Sequence, residues 1–520
     1  MQNGIARVRP SRASATQQAA LRKTAAMERD RRKWRRVAAA VLSATTAVSM
    51  AIGMAAGLAL GACARSDRGA QRDAFGRVLP VPASPPTTAP KPYVRGDKSY
   101  DTLIRNTLAD LQSYWTKEFP DVYGDRYDPL RLFYAYAAKT RMPVCDNQQL
   151  PYLLIQNNAF YCRENDFIAW DDGQLFPDLQ RDYGKFALAL VLAHEWGHAI
   201  QQRAGTDEET VIMEQQADCF AGAWTAHVDA TPASRARLAF VKSDLDVALA
   251  GLVRFRDLIG MTAATFGAHG TGFDRVRAFQ EGFSKGPGEC ARYTEDPPQL
   301  VGIPFKTLQN RLFGGDAPFS KVVPRVTASL NAYWNSALAV RATAVGAKAK
   351  PPVCAGPIMT VVGVSKHDVS YCRSTNTVSY DEATIRSLYD EFGDFAVATL
   401  LSELWANAQL AAGNRGVAPS PERALCHTGL WSDRVFLDTE NTSSGSGIDT
   451  GIDTTIAAHT STTVAPTDRL TLSPGDLDEA VQWLLRSSRT SSSAGPAKAF
   501  GLVDAFRIGF RGDPASCASL

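Results

Sequence analysis

The stretch VLAHEWGHAIQ, residues 191–201, carries two histidines and a glutamate at a spacing suited to metal chemistry. His194 and His198 are four residues apart, so on a helix both imidazoles face one side and can reach one metal ion. Glu195 follows the first histidine, where its carboxylate can hydrogen-bond a metal-bound water without being a ligand, and can act as general base. This HExxH pattern is typical of zinc hydrolases.

Two ligands leave a zinc site incomplete, and an acidic segment downstream offers a third. Glu214 follows His198 by sixteen residues, in EQQADCFAGAW, whose apolar residues recur at helical spacing. Asp218 lies one turn further along, on the same side as Glu214. There it could hydrogen-bond the second ring nitrogen of a ligating imidazole and fix its tautomer.

Three separate motifs in this part of the chain resemble a known family. HExxH, then ExxADCxAGxW, then HGTGFDRVRAFQEGF at residues 269–283 are similar to the neutral zinc metallopeptidases of bacteria, a minimal gluzincin-type group. The resemblance covers about residues 145–290. It implies a peptidase acting on a peptide or protein substrate, with one zinc ion held by His194, His198 and Glu214, and with Glu195 as the base.

Two alternatives stay open at this point. His269 either stabilises the oxyanion that forms when water attacks a peptide carbonyl, or is a turn residue beside two glycines. The chain as a whole is either a hydrolase or a catalytically inactive binding protein of the cell envelope that keeps a structural zinc. An open fourth coordination position beside a cleft would favour the hydrolase. The histidines without partners at ligand spacing are expected in solvent or in turns: His227, His367, His427 and His459.

The N-terminal segment predicts export. A basic stretch precedes an uncharged run, Val37–Ala62, which ends in Leu-Gly-Ala before Cys63. This order is that of a secretory signal, and LGAC resembles a bacterial lipobox, which implies lipidation of Cys63. The run is also long enough to span a membrane, so an uncleaved anchor is the alternative, and Met27 is an alternative start. Either way we expect a membrane-anchored chain whose bulk is extracytoplasmic, lifted from the bilayer by a Pro-rich linker at residues 64–96.

The rest of the chain contains two copies of one sequence repeat. We call residues 97–293 the first copy and residues 318–520 the second copy, with a linker at 294–317. Paired motifs recur in the same order: DLQSYW with SLNAYW, FYCR with SYCR, YGKFALALVLAHEWGHA with FGDFAVATLLSELWANA, ADCFAGAW with ALCHTGLW, and FDRVRAFQEGF with FGLVDAFRIGF. In the second copy, residues 438–474 read as a disordered insertion rich in Ser, Thr and Gly.

The second copy keeps the packing residues and loses the chemical ones. Glu403, Leu404 and Asn407 stand where the first copy has its histidine, glutamate and histidine, and Pro421, Leu425 and Pro496 replace Glu214, Asp218 and His269. We therefore expect a single zinc site, with the second copy serving stability or binding a partner protein. Asp244 and Asp246 recur as Asp476 and Asp478, which indicates helix starts and not chemistry.

Eight of the nine cysteines also follow the repeat. Four Cys per copy allow three pairings each, and the matched order favours four disulfides: Cys145 with Cys162, Cys219 with Cys290, Cys354 with Cys372, and Cys426 with Cys517. Cys219 as a metal ligand is the weaker alternative.

Hydrophobic periodicity predicts an α+β fold that is mostly helical, and the family resemblance implies a zincin-like domain, here present in tandem. The stretches 150–156 and 158–170 are predicted as paired strands that supply a sheet edge for substrate. Helices are expected at about 182–204, 208–229, 232–250 and 272–284. A formal net charge of +3, with its basic excess before Val37, leaves no footprint for nucleic acid.

Overall fold

A computed structural model describes residues 98–520 except for short gaps. The gaps are residues 207, 209, 262–267, 306–307, 338–345, 349–353, 355–357, 362, 414–418, 444–468 and 491–497. The signal or anchor, Cys63 and the Pro-rich linker predicted from the sequence lie outside the described residues. Within the described ranges, no helix has the length and apolar character needed to cross a bilayer.

The first copy sets a small sheet beside a group of long helices. Its strands are β1 (Leu132–Tyr136), β2 (Val144–Cys145), β3 (Gln148–Gln149), β4 (Ala159–Cys162) and β5 (Phe167–Asp171). Its helices are α1 (Asp101–Tyr123), α2 (Tyr152–Ile155), α3 (Leu175–Tyr183), α4 (Phe186–Ala204), α5 (Thr210–Ala230), α6 (Pro232–Leu238), α7 (Asp244–Arg254), α8 (Gly272–Lys285) and α9 (Pro287–Ala291). The α+β, mostly helical class is confirmed.

The second copy follows the same order of elements. After α10 (Leu308–Leu312), its strands are β6 (Gly346–Lys348), β7 (Ile358–Met359), β8 (Val369–Cys372) and β9 (Thr377–Tyr380). Its helices are α11 (Phe319–Ala337), α12 (Glu382–Phe392), α13 (Asp394–Gly413), α14 (Pro421–Ser443), α15 (Asp476–Thr490) and α16 (Lys498–Gly509). Thus α4, α5, α7 and α8 correspond to α13, α14, α15 and α16.

The two main sheets share their central arrangement and differ at one edge. In the first copy, β5 lies between a parallel β1 and an antiparallel β4. In the second copy, β9 lies between a parallel β6 and an antiparallel β8, and β8 pairs in addition with β7. The strand β4 is therefore an edge of its sheet, whereas its counterpart β8 is covered.

Glycines let the helix pairs of both copies approach closely. A Cβ on Gly222 of α5 would lie 2.0 Å from the Phe279 carbonyl oxygen of α8, and one on Gly429 would lie 2.1 Å from that of Phe506. These distances are too short for any side chain, so each pair needs glycine at the crossing. The disulfide Cys219–Cys290 links α5 to α9, and Cys426–Cys517 links α14 to the segment after α16. The disulfides Cys145–Cys162 and Cys354–Cys372 lie at the strands.

Three local predictions differ from the structure. Residues 150–156 do not form a strand: Pro151 begins the short α2, and the β-hairpin is formed within 158–170 by β4 and β5. The helix predicted at 232–250 is two helices, because the chain turns at Ala239 with a φ of 50° and the Asp244 side chain accepts from the Val241 amide at 2.8 Å. Short apolar runs do not distinguish strand from helix by pattern alone.

The insertion predicted at 438–474 is narrower in the structure. Residues 438–443 complete α14, and Leu472 is buried beside it, with its amide donating to the Thr439 hydroxyl at 3.0 Å. Residues 444–468 lie outside the described residues. An apolar residue in a polar run thus marks where the chain returns to the core.

The two copies pack against each other through reciprocal helix caps. Asp246 of α7 accepts from the Phe500 amide, near the start of α16, at 2.8 Å. Asp478 of α15 accepts from the Phe273 amide, at the start of α8, at 2.8 Å, and also pairs with Arg256 at 3.1 Å. Asp244 and Asp476 begin α7 and α15 as predicted, but the second aspartate of each pair caps a helix of the other copy.

Candidate metal centre

Two crossing helices position the predicted ligands. His194, Glu195 and His198 lie on α4, and Glu214 and Asp218 lie on α5. The helices touch at Gly197, between the two histidines, where a Cβ would lie 2.7 Å from the Ala217 Cα. Glycine at this position lets α5 come close enough for Glu214 to face both imidazoles.

The Nδ1 atoms of both histidines are engaged by oxygen acceptors. His194 Nδ1 lies 2.7 Å from Asp218 Oδ1, and His198 Nδ1 lies 2.8 Å from Gln201 Oε1. Because Gln201 Nε2 donates to the Met213 carbonyl, its oxygen is the atom that faces His198. Each Nδ1 therefore carries a proton, and in the neutral imidazole each Nε2 presents a lone pair.

Both Nε2 atoms face the Glu214 carboxylate. His194 Nε2 lies 3.2 Å from Oε2 and His198 Nε2 lies 3.4 Å from Oε1, and one ligand atom from each of the three residues lies within 4.8 Å of the other two. Glu214 Oε2 is buried without a hydrogen bond. Donor atoms around a tetrahedral zinc with bonds of about 2.0–2.1 Å are separated by about 3.3 Å, so this set fits that ion.

The electrostatics of the site favour a cation. Burial alone would lower the pKa of His194, but Asp218 and Glu214 outweigh it and raise the pKa to about 10. Burial would raise the pKa of Glu214, but the imidazoles of His198 and His194 hold it well below its ordinary value. The acidic surroundings therefore attract either protons or a metal ion to the space between the Nε2 atoms.

Glu195 lies beside this set and is not part of it. Its side chain is buried, and burial raises the pKa of its carboxyl above the ordinary value, while the charges of His194 and His198 oppose the shift. A carboxyl with a raised pKa, next to a metal-binding set, is suited to accept and then return a proton near neutral pH.

A buried arginine that the sequence analysis did not single out holds Asp218 in place. Arg275 on α8 donates two hydrogen bonds to Asp218, from Nε at 2.7 Å and from Nη2 at 2.9 Å, and a third to the Phe255 carbonyl at 2.8 Å. Asp218 is thereby fixed between His194 and Arg275, and both are almost fully buried. The replacement of Arg275 by Leu502 in the repeat was a signal in the sequence, as was that of Gln201 by Leu410.

His269 lies at the mouth of the same cavity. Its side chain is half exposed, its Nδ1 lies 3.4 Å from Asp257 Oδ1, and its backbone amide donates to the same oxygen at 3.0 Å. Asp257 was not singled out in the sequence. Its carboxylate accepts from the backbone amides of His269 and Gly270 and so fixes the backbone at His269, whose charge acts on Glu195.

The cavity beside the metal-binding set has a volume of about 400 Å³. One side is formed by the edge strand β4 with Phe160 and Tyr161, and the polar end is formed by His194, Glu195, His198 and Glu214. The remaining wall is mostly apolar, from Leu175, Leu179, Ala187, Leu190, Val191, Leu252 and Phe255. An open sheet edge and an apolar wall thus meet at the candidate metal centre.

The structure brings the predicted residues of the first copy together and corrects the expectation for two other histidines. All five of His194, Glu195, His198, Glu214 and Asp218 are in one cluster. His427 is neither in solvent nor in a turn: it is buried on α14 with its ring 5.5 Å from that of Trp334. His227 lies on α5, partly buried, with its ring 5.1 Å from that of Tyr114. His459 lies outside the described residues.

Comparisons with known proteins agree with the first copy. Residues 82–293, less than half of the chain, match the sequence profile of a family described as "Putative neutral zinc metallopeptidase". Two curated relatives are both named "Uncharacterized protein YpfJ", from Escherichia coli strain K12 and from E. coli O6:H1 strain CFT073. Each is 27% identical over 209 residues, covering 35% of this chain and 68% of the relative. No solved structure matches.

Proposed function

We propose that this chain is a zinc metallopeptidase whose single active site lies in the first copy. The observation that carries the proposal is the pair of Nε2 lone pairs facing the buried, incompletely bonded Glu214 carboxylate, with Glu195 beside them and a cavity open in front. His194, His198 and Glu214 would hold one zinc ion per chain. A bound zinc supplies Lewis acidity toward the scissile carbonyl and toward the attacking water.

The chain's own residues perform the proton transfers. Glu195 accepts a proton from the attacking water and delivers it to the amide nitrogen as the peptide bond breaks. His269 hydrogen-bonds the developing oxyanion from the cavity mouth, where Asp257 holds its loop. Arg275 keeps Asp218 ionised and in place, so that the His194 tautomer does not change during turnover.

The sheet edge indicates how a substrate would lie. An extended peptide could add to β4 by main-chain hydrogen bonds, which places its side chains alternately toward the cavity and toward solvent. The wall around Leu190, Leu252 and Phe255 then favours an apolar side chain next to the scissile bond. The corresponding edge in the second copy is covered by β7, which agrees with a copy that does not bind substrate in this way.

The decisive experiment compares the wild-type protein with Glu195→Gln. The amide keeps the shape of the side chain and removes the base, so we expect unchanged zinc content and a loss of peptide hydrolysis by about 10²-fold or more. Zinc is measured by elemental analysis and cleavage by a peptide library read by mass spectrometry. Glu295→Gln, an exposed glutamate of the same region, is the matched control and should behave as wild type.

Three outcomes would contradict the proposal. Wild-type activity in Glu195→Gln would exclude this residue as the base. About two zinc ions per chain would exclude a single site. One tightly bound zinc without cleavage of any library peptide, in wild type and variant alike, would favour the binding protein with a structural zinc.

We further propose that the chain is exported and held at the membrane through Cys63. The support is the sequence alone: an apolar run that ends in LGAC and a Pro-rich segment beyond it. Cys63→Ala should leave a precursor of higher mass that lacks lipid. Equal masses without lipid in wild type and variant would instead indicate an uncleaved anchor or a different cleavage site.

A further inference from the structure

A second cluster of metal-ligating side chains lies in the second copy, where the zinc ligands are missing. One carboxylate oxygen from each of Asp316, Asp394 and Glu479 lies within 4.8 Å of the other two. Asp476, three residues before Glu479, is close enough for its charge to act on the same group. We call these four residues the acid cluster. It joins the segment before α11 to the first turns of α13 and α15.

Backbone amides satisfy one oxygen of each carboxylate. Asp394 Oδ2 accepts from the Ala317 amide at 2.7 Å, and Asp316 Oδ1 accepts from the Asp394 amide at 3.1 Å. Glu479 Oε2 accepts from the Phe395 amide, and Asp476 Oδ2 from the Ser473 amide, both at 2.8 Å. If the carboxylates served only as helix caps, these hydrogen bonds would satisfy all their buried oxygens.

Two further oxygens remain without partners although they are buried. Asp394 is 8% exposed and Asp476 is 2% exposed, and the Oδ1 atom of each has no hydrogen bond. Burial, followed by the neighbouring carboxylates, raises the pKa of Asp476 and Glu479 well above their ordinary range. Arg325 on α11 opposes the shift at Asp394, whose pKa nevertheless rises to about 7. Four buried or half-buried acids around two unpaired oxygens must be neutralised, either by protons or by a bound cation.

The first copy has a cation at the position of one of these acids. The motif GDAPF at 315–319 corresponds to GDKSY at 96–100, and Asp394 corresponds to Lys185. The Lys185 ammonium donates to the Ser99 carbonyl at 3.1 Å, so the side chain itself brings a cation from α4 to the segment before α1. Val247 stands where the second copy has Glu479. The second copy therefore has acids at two positions where the first copy has a lysine and a valine.

We propose that the acid cluster is a binding site for one calcium ion. All its ligands are carboxylate oxygens, which suit hard cations and do not suit the softer zinc. Calcium accepts irregular sets of six to eight oxygens, whereas magnesium requires a near-octahedral set and keeps its waters. The ion would tie α11, α13 and α15 together and so stabilise the second copy.

Terbium(III) is a direct probe of this site in the full-length protein. Tyr389 donates from its hydroxyl to the Ala317 carbonyl at 2.9 Å and lies beside the acid cluster, so it can sensitise the emission of bound terbium. After treatment with a chelating resin, wild type should show saturable emission at one ion per chain. Calcium should displace the terbium and raise the unfolding temperature, and magnesium should do neither at the same concentration.

Variants separate a calcium site from ordinary helix capping. Glu479→Gln keeps an oxygen that can accept from the Phe395 amide but removes a charged ligand, so calcium should bind about tenfold more weakly or worse. Without calcium this variant should be more stable than wild type, because a repulsive charge is gone. Glu391→Gln, an exposed glutamate on α12 paired loosely with Arg486, is the matched control and should bind calcium normally. His194→Ala should lose zinc and keep the terbium signal.

The proposal is overturned if terbium emission does not saturate, if calcium leaves the unfolding temperature unchanged, or if Glu479→Gln binds as wild type does. Displacement of terbium by magnesium as effectively as by calcium would overturn the choice of ion. None of these readouts depends on peptide hydrolysis, so the calcium site and the proposed peptidase activity can fail separately.

Discussion

The helices α4 and α13 carry the same packing residues and different chemistry. Trp196 and Trp405 are both fully buried at the same turn. The residues around them diverge, since Glu403 and Asn407 stand at the positions of His194 and His198, and Leu404 replaces Glu195. The comparison separates what the fold needs, which is the aromatic and small residues, from what the metal needs.

The residues that support the His194 imidazole show the same contrast between the copies. In the first copy Asp218 and Arg275 form a buried ion pair between α5 and α8, and in the second copy Leu425 and Leu502 occupy these positions, both 0% exposed. A pair of leucines fills the helix crossing without any charge. Packing of this kind of helix crossing therefore does not require an ion pair, and in the first copy the pair places a carboxylate against the His194 imidazole.

The sheet edges complete the comparison. In the first copy β4 keeps a free edge that borders the cavity, whereas in the second copy β7 pairs with β8 along the corresponding edge. Unpaired edges are a liability in folded proteins and are usually covered. The free edge of β4 beside the metal-binding set is thus an argument for substrate binding there.

Replacing Arg275 by the leucine of the second copy should give the largest effect. Arg275→Leu removes the guanidinium that pairs with the buried Asp218 carboxylate and leaves it the contact with His194, which costs about 3–5 kcal/mol of unfolding free energy. The double variant Asp218→Leu with Arg275→Leu reproduces the pair of the second copy and should recover part of that loss. Its zinc affinity should remain lower than that of wild type, because His194 Nδ1 has lost its acceptor. Denaturant unfolding and zinc analysis measure the two quantities.

The double variant is the sharper test. If it restored both stability and zinc affinity, the ion pair would have no role at the metal centre. If it restored neither, the two helix crossings would not be equivalent, and the comparison between the copies would not extend to this position.

Gly197→Ala tests the crossing that brings the ligands together, and introduces the residue found at Ala406. The added Cβ would meet the Ala217 backbone at 2.7 Å, so α5 must move away. We expect a loss of about 1–3 kcal/mol of stability from overpacking, with weaker zinc binding because Glu214 moves with α5. Ala406→Gly is the reciprocal control and should cost about 1 kcal/mol without changing zinc affinity. Unchanged zinc affinity in Gly197→Ala would contradict the role given to the glycine.

Much of the candidate site was predictable because its signals are local. The spacing of His194, Glu195 and His198 within one helix, and the acidic segment with Glu214 and Asp218, follow from helical periodicity. The repeat added a comparison within one chain, which separated packing residues from the others and gave the order of the disulfides.

The remaining features depend on contacts between distant parts of the chain. Arg275 meets Asp218 across 57 residues and the Phe273 amide meets Asp478 across 205, and no local pattern reports such pairs. The segment 150–156 was mistaken for a strand because Leu153 and Leu154 read as core residues, although they are 77% and 76% exposed on α2. The acid cluster was missed because Asp394 lies 78 residues from Asp316 and 85 from Glu479 in sequence.

The reciprocal caps Asp246 and Asp478 test whether the second copy supports the active site. Loss of a helix cap costs about 1–2 kcal/mol, so Asp246→Ala and Asp478→Ala should both destabilise the protein. Asp478→Ala should cost more, because the pair with Arg256 is lost as well, and it should lower peptide hydrolysis since α8 carries Arg275. Asp246 caps a helix of the second copy, so Asp246→Ala should leave hydrolysis unchanged. If both variants lowered hydrolysis equally, the cap that Asp478 provides to α8 would have no special role in supporting the active site.

The smallest effect at neutral pH is expected at His427, which stands where the first copy has Phe220. Both rings pack against equivalent tryptophans, Phe220 on Trp115 at 5.1 Å and His427 on Trp334 at 5.5 Å. Burial, and then the charge of Arg423, lowers the pKa of His427 to about 4.

A lowered pKa makes the stability of the protein fall in acid. The folded state keeps His427 neutral, whereas the unfolded chain takes up a proton below a pKa of about 6.5, so stability is fully present above that pH and is lost toward pH 4. Between pH 6.5 and 5 the loss from this residue is at most about 2 kcal/mol. His427→Phe should remove that part of the acid sensitivity while leaving stability at pH 7.5 nearly unchanged. Denaturant midpoints at pH 5 and 7.5 measure it, with the exposed His367→Gln as the control; an equal loss in wild type and His427→Phe would show that the histidine is not the residue that makes this copy sensitive to acid.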